Sequence, residues 1–234
     1  MKTEVCASSF ISTQNALLGG ANRIELCENL SVGGITPSKE LMRKVMKEVD
    51  IESHVLIRPR AGNFVYSEPE ILEMLEDIAF CKEHGFSGIV SGALTASNEI
   101  DMAVTNRLIK ASEGMQFTFH RAFDVCKSPT QSLEILIDLG VDRLLSSGQQ
   151  PKAIDGIKLL IDLKTLSEGR IEIMPGSGIA SENVLDFKEA GFSSIHFSAI
   201  KKESSSSSNN LFNASINGHS SLSEIQKIVH LLAQ

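Results

Sequence analysis

Tryptophan is absent from this sequence and tyrosine occurs once, at Tyr66. Base-stacking platforms for single-stranded nucleic acid therefore have almost no material. Basic charge is also scarce: Lys and Arg number 22 against 29 Asp and Glu, for a net charge of -7. The longest charge run is Lys201-Lys202-Glu203. A phosphate-backbone binder usually carries a basic face, so nucleic acid is excluded as a partner. No apolar run approaches the roughly 18 residues that a membrane-spanning helix needs. Met1-Lys2-Thr3-Glu4 leads into a strand and not into an apolar leader, so neither a membrane span nor a signal peptide is expected. The four cysteines, Cys6, Cys27, Cys81 and Cys126, form no CxxC pair and show no short disulfide spacing. They read as free thiols of a reducing, cytoplasmic setting.

What the sequence does contain is a repeated phrase. Gly20-Ala21-Asn22-Arg23-Ile24-Glu25 recurs as Gly85-Phe86-Ser87-Gly88-Ile89-Val90, Gly140-Val141-Asp142-Arg143-Leu144-Leu145 and Gly191-Phe192-Ser193-Ser194-Ile195-His196. Each copy follows a segment of helical periodicity. Each predicts a helix ended by left-handed glycine, a tight polar turn and a buried strand. Single copies are common turn chemistry. Four copies, at positions 20, 85, 140 and 191, imply an array with two βα units per repeat and eight in all.

The elements read in order as follows. Strand one is Thr3–Cys6, helix one Thr13–Leu18 and strand two Arg23–Leu26. Thr36 caps helix two, with Pro37 in its first turn. Strand three is His54–Ile57, and Ser67-Glu68-Pro69-Glu70 is a capping box opening helix three. Strand four is Gly88–Val90, helix four Asp101–Glu113 and strand five Phe117–Phe119. Ser128-Pro129 opens helix five, which runs to Leu139; strand six is Arg143–Leu145 and helix six Lys152–Leu166. Strand seven is Ile171–Met174, Ser181 caps helix seven, strand eight is Ile195–Phe197 and helix eight Leu222–Ala233. Residues 201–221 form a Ser/Asn-rich surface loop inside a single domain over 1–234. The strands are short apolar runs, as expected of a parallel sheet covered on both faces. Eight alternations predict the α/β class and a TIM (β/α)8 barrel. An open doubly wound sheet would carry a glycine fingerprint after strand one, and Cys6-Ala7-Ser8-Ser9 has none.

In such a barrel the chemistry lies at the carboxyl ends of the strands. Residues two apart on a strand point the same way. Glu4 pairs with Cys6, Glu25 with Cys27, Arg58 with Arg60, Thr118 with His120 and His196 with Ser198; Arg121 and Asp124 lie just past strand five. One reading is an internal salt-bridge network such as Glu25 with Arg58, since buried charges cost several kcal/mol unless paired. Another is an enzyme acting on a small anionic or phosphorylated metabolite. Glu25, Arg58, His120 and Asp124 are then the catalytic set, with Arg58 clamping the anion and His120 the general acid or base oriented by Asp124. Arg60, His196 and Ser198 would join the loop Gly176-Ser177-Gly178 in holding the anion. No Lys stands at a strand end, which disfavours Schiff-base chemistry. Glu4, Glu25 and His120 suit a hard-metal variant. Cys6 and Cys27 end adjacent strands, about 4.8 Å apart, and face one way. Two sulfurs can thus approach one soft ion such as Cu(I), or the pair is simply two small buried hydrophobes. A non-catalytic interaction barrel with a filled rim is the third reading.

Several ordered motifs resemble one family. They are Glu4-Val5-Cys6, Glu25-Leu26-Cys27, Gly33-Gly34-Ile35-Thr36-Pro37-Ser38, Ile57-Arg58-Pro59-Arg60, Phe119-His120-Arg121-Ala122-Phe123-Asp124 and Ile173-Met174-Pro175-Gly176-Ser177-Gly178, with His196 and Ser198 at the strand-eight end. Together they closely resemble the copper homeostasis protein CutC family over about residues 2–199. The resemblance implies a TIM barrel, a cytoplasmic homo-oligomer (dimer or tetramer) and a role in copper handling, with Cys6 and Cys27 as the Cu(I) ligands. The family often carries Gly-Gly-Asp after Arg-Pro-Arg, where this chain has Ala61-Gly62-Asn63. Asn63 cannot supply that carboxylate.

Overall fold

The four glycines of the repeated phrase, Gly20, Gly85, Gly140 and Gly191, all take the left-handed conformation, with φ of 80, 78, 77 and 74°. In each copy the next residue's N–H reaches back to close the helix. Ala21 donates to Ala16 O, Phe86 to Cys81 O, Val141 to Leu136 O and Phe192 to Phe187 O, at 3.0–3.2 Å. This is the Schellman closure, and it satisfies carbonyls that the helix end would otherwise leave bare. The polar residue that follows ties the joint to a neighbouring strand. Asn22 Oδ1 accepts from Thr3 N–H at 2.9 Å, and Asp142 Oδ2 from Phe117 N–H at 2.7 Å.

The structure, a computed structural model, describes residues 1–200 and 218–234. Strands and helices alternate: β1 (Lys2–Ala7), α1 (Phe10–Leu18), β2 (Arg23–Leu26), α2 (Lys39–Glu48), β3 (Glu52–Leu56), α3 (Glu68–Glu83), β4 (Gly88–Ser91) and α4 (Met102–Ala111). The second half holds β5 (Gln116–Phe119), α5 (Pro129–Asp138), β6 (Arg143–Ser146), α6 (Ile157–Ser167), β7 (Glu172–Pro175), α7 (Val184–Glu189), β8 (Ser194–Phe197) and α8 (Leu222–Ala233). All neighbours pair in parallel, in the order β7-β6-β5-β4-β3-β2-β1-β8. A single parallel bridge, Gly176 to His196, joins the two ends into a ring. The expected (β/α)8 barrel is therefore present. Among the described residues no helix is long and apolar enough to cross a membrane. Most of the expected Ser/Asn-rich loop lies outside the described residues. The chain on either side of it meets in an antiparallel bridge between Ile200 and Ser220.

Four helix starts differ from the sequence reading. Helix one begins at Phe10 and not Thr13, because Ser9 caps it: its hydroxyl accepts from Ser12 N–H at 3.2 Å. Helix two begins at Lys39 behind Ser38, because Thr36 is bound into the next loop: its N–H donates to Arg58 O and its Oγ1 accepts from Arg58 N–H, both at 2.9 Å. Helix six begins only at Ile157, since Pro151–Gly156 is spent on turns packed against the end of β6. Helix seven begins at Val184, because Ser181 N–H donates to Glu224 on α8 and does not open a helix.

The space inside the ring is only partly apolar. Arg23 and Arg143, which occupy equivalent places in the repeated phrase, both turn inward and are buried. Arg23 pairs with Glu4 and, at 3.3 Å, with Glu52. Arg143 pairs with Glu172 at 2.7 Å and donates to Thr118 and Gln116. The His54 ring fills the gap left by Gly88, where a Cβ would sit 2.6 Å from it. Nearer the carboxyl ends, Cys6, Cys27, Leu56 and Val90 form a small apolar patch of their own.

Candidate functional site

Three ring neighbours, β8, β1 and β2, bring His196, Cys6 and Glu25 together. Their ligand atoms all lie within 4.8 Å of one another, and all three residues are buried. The pairing of β1 with β2 places Cys6 beside Glu25, and that of β1 with β8 places Glu4 beside His196. Cys6 Sγ donates to Glu25 Oε2 at 3.3 Å and lies 3.5 Å from Cys27 Sγ. His196 Nε2 is 3.7 Å from Glu25 Oε2.

A chain of buried charges positions the imidazole. Glu4 Oε1 is 2.8 Å from His196 Nδ1, and Glu4 Oε2 accepts from Arg23 Nε. With Nδ1 held, Nε2 is turned toward Cys6 and Glu25. Burial opposes charge on Glu4, yet the His196 hydrogen bond and Arg23 hold its carboxyl far below the usual range. Burial likewise opposes charge on His196, but Glu25, Cys6 and Glu4 hold the imidazole well above its ordinary value. Burial pushes Glu25 up, and Glu4 adds to this. The hydrogen bond with Cys27, then burial, pushes the Cys6 thiol well up, so that without a cation it keeps its proton. Sulfur, imidazole nitrogen and carboxylate oxygen are the donor types a transition-metal ion takes. A His ligand whose second nitrogen is fixed by a carboxylate is the usual way such a ligand is aimed.

The CutC family profile matches residues 1–201. This chain belongs to the CutC family. It is 46% identical over 200 residues to a family protein CutC of Glaesserella parasuis serovar 5, covering 85% of this chain and 82% of the relative. It is also 46% identical over 199 residues to a family protein CutC of Pasteurella multocida, covering 85% and 82%. The crystal structure of a CutC from Streptococcus agalactiae, described there as a candidate copper homeostasis protein, superposes with a TM-score of 0.79 at 35% identity, over 84% of this chain and 98% of that one. N-(5'-phosphoribosyl)anthranilate isomerase from Pyrococcus furiosus shares the fold alone, at 14% identity and a TM-score of 0.59.

The other residues singled out in this CutC chain lie just past β3, β5, β7 and β8. Glu25 and Arg58 do not form the internal pair that one of the readings offered: Arg58 instead donates to the carbonyls of Val32, Gly34 and Gly62 at 2.7–2.9 Å. Arg60 pairs with Glu70 and donates to Asn63 O and Val65 O, so it fastens its own loop. Asp124 has no hydrogen bond with His120. Its carboxylate accepts from Ser146 Oγ, Ser147 N–H and Oγ, Gln149 N–H and Arg121 Nε, which pins the turn after β5 to the end of β6. In the loop after β7, Gly176 N–H donates to Ser146 O, Ser177 Oγ to Pro151 O, and Gly178 O accepts from Asn183 Nδ2. The helix that follows has only six residues, so it adds little dipole to that loop. Ser198 is half-buried just past β8, two residues from His196.

Sequence reasoning gave Glu4 a ligand's place beside Glu25 and His120, where it instead holds His196 and Arg23, and it passed over the role of Arg23. Arg23 did carry a signal: its place in the repeated phrase is also that of Arg143, and a cation recurring at the inner face of a buried strand demands a partner.

His120 ends β5 with its Nδ1 accepting from Ala122 N–H at 3.3 Å. Burial, and secondarily the Arg58 charge, push its pKa down from 6.5 to about 3. The unfolded chain thus takes up a proton near pH 6.5 that the folded chain refuses. His120 therefore contributes stability above pH 6.5 that is lost as pH falls toward 3. Between pH 6.5 and 4.5 the loss should be roughly 2–3 kcal/mol. Urea unfolding of wild type and His120→Gln at both pH values checks this: the variant should show a correspondingly flatter profile, and an unchanged slope would refute the assignment.

Proposed function

We propose that this CutC-family protein binds Cu(I) at the carboxyl-terminal mouth of its barrel. Cys6 and Cys27 supply the two sulfurs, and His196 stands beside them. The observation that carries the reading is the 3.5 Å separation of the two sulfurs, one of which, Cys6, also belongs to a donor cluster whose histidine is already aimed by Glu4. Cu(I) accepts few, soft ligands; two thiolates hold it, and the His196 imidazole adds a third donor whose aim sets how tightly it is held. Glu25 is a hard donor, and its neighbour Cys6 hydrogen-bonds to it; its place is to accept the thiol proton that binding displaces. Metal uptake by protonated thiols releases protons, so binding should strengthen as pH rises. The copper-homeostasis description of the Streptococcus agalactiae relative agrees with this reading.

Competition with a Cu(I) chelator of known affinity tests it. Wild type should bind one Cu(I) per chain, and Cys6→Ser and Cys27→Ser should each lose stoichiometric binding while keeping their circular dichroism. Glu4→Gln, which leaves the sulfurs in place, should weaken binding by about 10–100-fold, the usual effect of losing a residue that orients a ligand. Binding that survives both serine variants would end the proposal.

A further inference from the structure

Around the loops that follow β3 and β5 lies a second set of buried polar atoms that the copper reading does not use. Arg58 and His120 are 6% and 5% exposed. Arg58 Nε, His120 Nε2 and the Tyr66 hydroxyl are all buried, and among the described residues no group accepts from them. The three belong together in space. The Phe64 ring lies 5.0 Å from the Arg58 guanidinium carbon and 4.9 Å from the His120 ring, so both side chains pack against one aromatic ring. The Tyr66 hydroxyl lies close enough to Arg58 for the guanidinium to act on it, though without hydrogen-bond geometry. Beneath them Gly92 leaves the room the imidazole occupies: a Cβ there would stand 2.9 Å from His120 Nδ1.

The chemistry of these atoms has one sign. Nδ1 of His120 is an acceptor, since Ala122 N–H points at it. A neutral imidazole with Nδ1 accepting must carry its proton on Nε2, so Nε2 is a donor. Burial keeps the ring neutral down to about pH 3. Arg58 Nε–H can only donate, and the tyrosine hydroxyl is free to do so. Leaving a buried donor unmet costs about 1–3 kcal/mol. Two donors of this kind, just past two different strands, with a third beside them, describe a cradle for an acceptor-rich group.

We propose that the barrel mouth contains an oxyanion site, in which His120 Nε2–H, Arg58 Nε–H and the Tyr66 hydroxyl receive a carboxylate or phosphate group of a small molecule, with Phe64 as its apolar wall. The site is distinct from the sulfur cluster and needs no metal. In it His120 acts as a neutral hydrogen-bond donor, because its other nitrogen is occupied by the backbone.

The test uses metal-free protein and two probes, inorganic phosphate and acetate, titrated at matched ionic strength and followed by long-range proton–nitrogen NMR of the histidines. Saturable movement of the His120 Nε2 resonance, with Nδ1 little changed, is expected in at least one arm; the arm that saturates names the class. His120→Phe, which removes the donor, should weaken that binding at least tenfold. His120→Gln, which restores an N–H, should recover part of it. Tyr66→Phe keeps the fold and should weaken binding severalfold, so it decides the matter if His120→Phe fails to fold. Cys6→Ser should bind the anion as wild type does, which separates this site from the copper proposal. Saturation in neither arm means that water meets these donors, and it overturns the proposal. So does binding that is indifferent to both His120→Phe and Tyr66→Phe.

Discussion

Arg23→Ala is expected to remove about 3–5 kcal/mol of folding stability, the usual consequence of stripping one partner from a buried ion pair. Arg23 is 2% exposed and Glu4 fully buried, so no water replaces the lost guanidinium. The substitution also empties the volume of the arginine stem. Glu4 would then escape its isolation by taking up a proton, so the penalty should shrink as pH is lowered. A paired replacement of Glu4 and Arg23 by apolar residues of similar volume should cost far less than Arg23→Ala, since neither charge is stranded. Denaturant midpoints of the single and paired variants decide it. A loss under 1 kcal/mol in Arg23→Ala would mean that Glu4 is already neutral in the native barrel. The same variant should bind Cu(I) more weakly, because Glu4 freed from Arg23 no longer fixes His196 Nδ1.

Gly148→Ala carries the second large effect. Gly148 has φ of 67°, and a Cβ on it would lie 2.3 Å from the backbone oxygen of Gly156. A Cβ on Gly156 would in turn lie 2.1 Å from Ser147 O. Two backbones therefore touch where the β6 loop meets the lead-in to α6, and neither can yield as a flexible side chain would. The left-handed conformation alone costs a non-glycine residue about 1–2 kcal/mol, and forcing volume into a packed contact adds about 1–3 kcal/mol. Gly148→Ala should therefore cost about 2–5 kcal/mol, and Gly156→Ala should also destabilise through the clash alone. Thermal or urea unfolding measures both. The two changes strain one contact, so the double variant should lose less than the sum of the singles. The turn at Ser146–Gln149 also holds Asp124, so its displacement should unfasten the end of β5 as well.

How much of this was readable beforehand depended on the range of the forces involved. The four glycine joints were legible because helix closure is local: a left-handed glycine and one returning hydrogen bond lie within a few residues of each other. Strand two and helix eight were placed to the residue for the same reason. Thr36 misled because its hydroxyl was taken by Arg58, and Ser181 because its N–H was taken by Glu224 while its hydroxyl turned to Glu182; neither Arg58 nor Glu224 lies within a window of local sequence. The inward direction of Glu4, Cys6, Glu25 and Cys27 followed from strand alternation. The choice of partners did not, since it depends on ring register: Glu25 meets Cys6 and His196, while Arg58 turns to three carbonyls. Asp124 showed the limit most plainly. Its nearness to His120 in sequence suggested a pair, but a short helical turn carries it to the serines of β6.

The barrel separates its tasks by end. The glycine joints that turn each helix back into a strand lie beneath the ring, and the donors lie above. Mouth loops can thus be exchanged without touching those joints, provided the Gly176–His196 bridge that shuts the ring at the mouth is kept, and with one further exception. Glu4 grips Arg23 on one side and His196 on the other, so anyone transplanting the sulfur cluster into a different scaffold must carry that arginine along or receive a histidine that points nowhere.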